Sequence, residues 1–146
     1  MIRIYQENDT EDVIEAWYQA SLIAHPFLPD TFLAQEKVNL REIFLPRAQT
    51  WVCEKQGQVV GFMSLAGNEI GGLFVHPNWQ RHGVGTSLVN NARSLHSILE
   101  LDVFEANSLG RSFYASYGFV PVKTHRDEAT GEMMIRLRYE RGEDPV

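Results

Sequence analysis

A turn carrying two glycines and a fixed cation, Gln80-Arg81-His82-Gly83-Val84-Gly85-Thr86, separates an apolar run, Ile70 to Val75, from a stretch of helical period. Its chemistry is that of anion binding. The first N–H groups of a helix have no intrahelical partner, and together with the positive end of the macrodipole they attract phosphate groups. Gly83 and Gly85 let the backbone come close to such a group, while Arg81 adds charge and Thr86 a hydroxyl at the same helix end. Two nucleotide sites fail on residue type. A P-loop needs a lysine after its last glycine, and here Gly85 is followed by Thr86 and Ser87. The dinucleotide fingerprint needs a third glycine where Leu88 stands, and a tighter strand-to-helix turn than His76 to His82 can make. What remains is a backbone cradle for an anion such as a pyrophosphate, with a turn that holds nothing as the plainer alternative. A second pair, Gly71-Gly72, interrupts the apolar run; it weakens a strand unless a bulge or a close backbone approach uses it.

Strand and helix patterns flank these residues and must position them. Ile2 to Tyr5 alternate as a short strand, and a helix follows with Asp9 or Thr10 as N-cap and Val13, Ile14, Trp17 and Leu22 on its apolar face. His25-Pro26-Phe27-Leu28-Pro29 breaks the period. A second helix then runs from Asp30 to Pro46 through Phe32, Leu33, Val38, Leu40, Ile43 and Phe44, where it would wall a pocket. From Thr50 the period becomes two: a hairpin turning at Gly57, then a third strand from Glu69 to Pro77. A helix from about Gly83 to Ser97 carries a stripe of Val84, Leu88, Val89, Ala92 and Leu95. A strand from Ile98, a short helix from Ser108 ending at Gly118, and two strands around Thr130-Gly131 complete the order, followed by a polar tail, 141–146.

The 146 residues suit a single domain, 1–146, and 44% hydrophobic with 22% charged residues is an ordinary globular composition. A formal charge of -6 argues against a broad phosphate-neutralising surface, so no nucleic-acid partner is expected and any anion site is local. Cys53 is the single cysteine, which excludes an intrachain disulfide, and no His/Cys group has metal-ligand spacing. No run approaches a membrane span and the N-terminus does not read as a secretory leader, so a soluble, cytoplasmic protein with no membrane partner is expected.

The turn resembles the coenzyme A signature of the GCN5-related N-acetyltransferase (GNAT) family, [QR]-x-x-G-x-[GA] directly after a strand, at Gln80, Gly83 and Gly85. The family's second signature, N-x-x-A-x-x-[FL]-Y-x-x-x-G-F, is similar to Asn107 through Phe119, with Gly110 where alanine is usual. The order of elements also matches, so the resemblance covers nearly the whole chain and is weakest over the first 50 residues. It implies an α/β (α+β) fold: a mixed, mostly antiparallel central sheet flanked by helices and splayed between strands 4 and 5. It further implies acetyl-CoA as donor, with the pantetheine arm in that gap bonded to the main chain of Leu73, Phe74 and Val75. The pyrophosphate would lie on Arg81, His82, Gly83, Val84, Gly85 and Thr86, and Asn107 would bond the arm.

Transfer from a thioester to an amine needs a polarised carbonyl, an acceptor for the amine's proton and a proton for the departing thiolate. By the resemblance Tyr114 lies near the sulfur and supplies the last, against the alternative of a core aromatic. Glu69, just ahead of the glycine pair, lies where many relatives carry the base, against the alternative of a solvated turn residue; His25 is the second candidate. His76 and His82 read as surface or phosphate-side residues, Phe113 and Cys53 as core. The implied function is N-acetyl transfer to a primary amine of a small molecule or peptide, in a monomer or homodimer. A non-catalytic acyl-CoA-binding or regulatory module of the same fold is the rival reading.

Overall fold

The period-two segments become β1 (Ile2–Ile4), β2 (Gln49–Lys55), β3 (Gln58–Ala66), β4 (Glu69–Val75), β5 (Ile98–Phe104), β6 (Val120–Arg126) and β7 (Met133–Glu140). They form one seven-stranded sheet in the order β1-β2-β3-β4-β5-β7-β6, in a computed structural model that describes residues 1–140. The polar tail, 141–146, lies outside the described residues. Every neighbouring pair is antiparallel except β4 with β5. The β2–β3 hairpin turns on Gln56 (φ 53) and Gly57 (φ 78), the doubly left-handed two-residue connection whose twist suits a hairpin.

The helical segments are α1 (Thr10–Ala24), α2 (Asp30–Asn39), a one-turn α3 (Leu45–Arg47), α4 (Val84–Leu95) and α5 (Ser108–Tyr117). The single helix expected from Asp30 to Pro46 is divided: Leu40–Phe44 is a π-helical turn, closed by Leu45 N–H on the Leu40 carbonyl. Pro46 has no N–H for the regular ladder, and the wider turn carries the chain past its ring. Val38, Ile43 and Phe44 are exposed, while Leu33 and Leu40 are buried. Asp9 does not cap α1 with its side chain; its carboxylate accepts the Gln6 N–H (2.8 Å) and pairs with Arg3. Leu22 and Leu95, expected on apolar faces, point outward; Ser21, four residues after Trp17, takes the inward position on α1.

Neighbouring strand residues point to opposite faces, and each face has its own core layer. Cys53, Met63, Leu65, Leu99 and Leu101 pack with Leu88, Val89 and Ala92 of α4 on one side. Val52, Val59 and Phe62 pack with Val13, Ile14 and Trp17 of α1 and Leu33 of α2 on the other. Each fully buried aliphatic chain contributes about 1.5–3 kcal/mol, so both layers press the helices onto the sheet. That fixes the ends of α1, α4 and α5 relative to β4 and β5.

The site grows from a failure of pairing. β4 and β5 share one Cα pair, Glu69 with Glu100, supported by the Glu100 N–H on the Asn68 carbonyl (3.1 Å). Beyond it the strands part, and β4 continues to pair with β3 alone. The β3–β4 register skips at Gly71, a bulge that uses the first glycine of the expected pair.

Candidate active site

The gap between β4 and β5 opens into a cavity of about 980 Å³. Gly71 to Val75 line one wall and Leu101 to Phe104 the other, with the ends of α1, α4 and α5 closing around them. Alternate N–H and C=O groups of β4 lack a strand partner along this edge, so an extended amide chain laid there would find main-chain bonds.

At one end stands the glycine turn. Gln80 Nε2 donates to the Val75 carbonyl (3.0 Å) and His76 Nδ1 accepts the Asn78 N–H (3.1 Å), folding the loop back on the end of β4. Arg81 (φ 65) and Gly83 (φ 80) are both left-handed, and Gly83 is the N-cap of α4. No atom lies within 4 Å of a Cβ placed on Gly83, so the requirement for glycine there is conformational. At Gly85 it is steric, since a Cβ would lie 3.2 Å from the Phe113 ring. The first ladder bond of α4 is Ser87 N–H to the Gly83 carbonyl (3.0 Å), which leaves the N–H groups of Val84, Gly85 and Thr86 ahead of the ladder. Arg81 lines the cavity beside them. This donor set fits a pyrophosphate: unpaired N–H groups, the positive helix end and one guanidinium. His82 is the exception among the turn residues; it does not line the cavity, and its ring lies against Trp79 at 5.5 Å between centroids.

The other side gathers Tyr114, Asn107 and His25. Tyr114 is buried at 8% exposure, its ring edge-on to Phe113 and Phe119, and its hydroxyl has no hydrogen-bond partner among the described residues. Burial pushes the phenol well above its ordinary value, so it remains protonated at neutral pH. Asn107 is the N-cap of α5: its Oδ1 accepts the Gly110 N–H (2.9 Å), which points its Nδ2 at His25 Nε2 (3.3 Å). His25 closes α1 and sits among the rings of Phe27, Phe74 and Phe104; burial lowers its pKa to about 4. Tyr117, by contrast, donates to Asn90 Oδ1 (2.6 Å) and braces α5 against α4.

Leu73, Phe74, Val75, Arg81, Gly83, Val84, Gly85, Thr86, Asn107 and Tyr114 therefore meet at one cavity, and Glu69 does not. Its carboxylate is gripped by both terminal nitrogens of Arg136, one at 2.6 Å, and the same guanidinium reaches Glu100 (2.8 Å) and Asp102 (3.3 Å). The pairing that places Glu69 opposite Glu100 lies at the closed end of the gap, which removes it from the opening. Among contributors the sequence reading passed over, Gln80 stands at a specified position of the signature without an assigned task, while the contact of His25 with Asn107 spans 82 residues and leaves no local signal. Cys53 is buried at 1% exposure. Among the described residues no group of three His, Cys, Asp or Glu side chains could hold a metal ion, and no helix is long and apolar enough to cross a membrane.

Comparison with known proteins converges on one family. A family model described as an acetyltransferase (GNAT) domain matches residues 46–121. The peptidyl-lysine N-acetyltransferase YiaC of Escherichia coli is 31% identical over 120 residues, covering 82% of both chains. The peptidyl-lysine N-acetyltransferase YjaB of the same organism is 34% identical over 119 residues, or 81% of this chain and 80% of that one. The solution structure of apo YjaB superposes with a TM-score of 0.87 at 29% identity, covering 97% of this chain and 98% of the other.

Proposed function

The chain belongs to the GNAT acetyltransferase family, and we propose that it moves the acetyl group of acetyl-CoA directly onto the ε-amine of a lysine in a peptide or protein. The observation that carries this reading is the continuous cavity, which joins an anion cradle at α4 to a protonated, buried phenol at α5 along an unpaired strand edge. The bound thioester supplies the activated acetyl group. Arg81 and the N-terminus of α4 hold the pyrophosphate, and the alternate main-chain groups along Leu73 to Val75 that β3 leaves unpaired align the arm and polarise the carbonyl. Tyr114 donates its proton, or a hydrogen bond, to the departing sulfur.

The acceptor follows from two supports. Relatives of 31% and 34% identity are peptidyl-lysine acetyltransferases, and the cavity wall combines apolar side chains with the acidic residues Glu36 and Asp127, a setting for a cation on an aliphatic stem. The amine's proton is the remaining question. Glu69 is bound to Arg136, and His25, with a pKa of about 4, lies roughly six units below a lysine ammonium, too weak a base to strip it. Deprotonation is therefore assigned to solvent at the cavity mouth, and kcat/KM for the acceptor rises with pH toward the amine's own pKa.

Incubation with acetyl-CoA and a panel of lysine peptides, free amines and aminoglycosides, read by mass spectrometry, tests the reading. Protein-dependent acetylation of lysine peptides is expected. Turnover confined to small amines would overturn the acceptor assignment; acetyl-CoA binding by calorimetry with no turnover on any amine would favour the non-catalytic module.

A further inference from the structure

Gly110 occupies the position where the second signature has alanine, and the reason is legible in its surroundings. A Cβ on residue 110 would lie 2.5 Å from Asn107 Nδ2, 3.0 Å from its Cγ and 3.2 Å from its Oδ1. Nothing can stand there while the Asn107 carboxamide is folded over the first turn of α5. In that rotamer Oδ1 accepts the Gly110 N–H, so the amide can present only its NH₂ to His25, and His25 Nε2 must accept. The Nδ1 of the ring then carries the proton. His25 sits at the end of α1, Asn107 after β5, and Tyr114 two helical turns beyond Asn107 on the same side of α5.

We propose that His25 is a positioning residue: with the space left by Gly110 it locks the Asn107 carboxamide in the rotamer that caps α5, and so sets Tyr114 at the reacting end of the cavity. The role rests on the acetyltransferase reading above. It also explains why a histidine in the acceptor wall has its one lone pair turned away from any amine. Burial keeps the ring neutral, the form in which Nε2 can accept. Ala at 110 would evict the rotamer even though alanine is the better helix former, so the glycine and the histidine are two halves of one device.

The test compares the wild type with His25→Leu, His25→Gln, Gly110→Ala and the His25→Leu/Gly110→Ala double variant. Glutamine places an acceptor oxygen near the Nε2 position; leucine has none. Losing one neutral hydrogen bond predicts that kcat falls roughly three- to tenfold in His25→Leu and in Gly110→Ala, with KM for acetyl-CoA within about twofold. His25→Gln recovers most of the loss, and the double variant is no worse than the poorer single one because both break the same link. A second readout needs no turnover: in the free protein the Asn107 Nδ2 proton resonances shift in His25→Leu and Gly110→Ala and hold near wild-type positions in His25→Gln. Glutamine behaving like leucine, additive losses in the double variant, a Gly110→Ala protein of unchanged kcat, or Asn107 resonances indifferent to His25→Leu would each overturn the proposal. A wild type that acetylates nothing would instead overturn the acetyltransferase reading, and the resonances alone would then decide the link.

Discussion

Acidification should destabilise this fold through His25 in a definable window. The imidazole is enclosed by Phe27, Phe74 and Phe104, at centroid distances of 5.8, 6.3 and 5.0 Å, and by the Asn107 carboxamide, all uncharged. Desolvation is the cause of its shift, from 6.5 down to about 4. The unfolded chain takes up a proton near pH 6.5, whereas the folded one resists until about pH 4. Between those values the unfolded state binds more protons, so the contribution is intact above pH 6.5, shrinks as pH falls and is fully lost below about pH 4. The full span corresponds to about 3 kcal/mol, of which about 2 kcal/mol is lost between pH 7 and 4.5. For a chain of this size that is roughly 5–10 °C in Tm. Asp9, held below its ordinary 3.8 by Arg3, also weakens the fold in acid, but only as pH drops below that value. Urea unfolding at pH 7, 6, 5 and 4.5, on the wild type and on His25→Gln, isolates the effect. The wild-type free energy should fall faster by about 2 kcal/mol over this range; parallel curves for the two proteins would refute the buried, neutral imidazole.

Three further outcomes follow from the geometry. Tyr114→Phe keeps the ring and removes the proton, so kcat in a thiol-release assay should fall about 100-fold while KM for acetyl-CoA changes less than about threefold; an unchanged kcat removes the acid role. Gly83→Ala forces an L residue to φ near +80 at the N-cap of α4, at a cost of about 1–2 kcal/mol, and calorimetry should show roughly tenfold weaker acetyl-CoA binding, whereas wild-type affinity would separate the turn from the pyrophosphate. Glu69→Gln breaks the pair with Arg136 at a partly buried site and should leave kcat/KM within about threefold; a loss beyond about 100-fold would return the base to Glu69.

The glycine turn at one end of the cavity was legible in the sequence because its determinants are local and written in backbone chemistry. A glycine at φ 80, a helix beginning one residue later and a cation two residues earlier are fixed by adjacent positions. The bulge at Gly71 was legible for the same reason, as was each two-period strand. What misled were positions whose outcome depends on partners far along the chain. Glu69 reads like a base until Arg136 of β7 is brought against it. The helix expected from Asp30 to Pro46 is divided by a π-helical turn that carries the chain past the Pro46 ring, and periodicity counts only one kind of turn.

The departure at Gly110 shows what kind of signal crosses that boundary. A missing methyl in an otherwise matched motif states that space is needed there, and the structure identifies the occupant as the Asn107 amide 2.5 Å from the absent Cβ. From the motif alone, the partner of that amide cannot be named, since His25 precedes it by 82 residues. The constraint is nevertheless visible as a local oddity: a glycine in the first turn of a helix, where alanine is favoured by up to about 1 kcal/mol, has to be offset by something its small size permits. Here that is a side chain that caps the helix carrying Tyr114 and at the same time joins α1 to β5 across the cavity. The end of α1 and the first turn of α5 are thus coupled through one amide, which is why substitutions at His25 and Gly110 should fail together rather than independently.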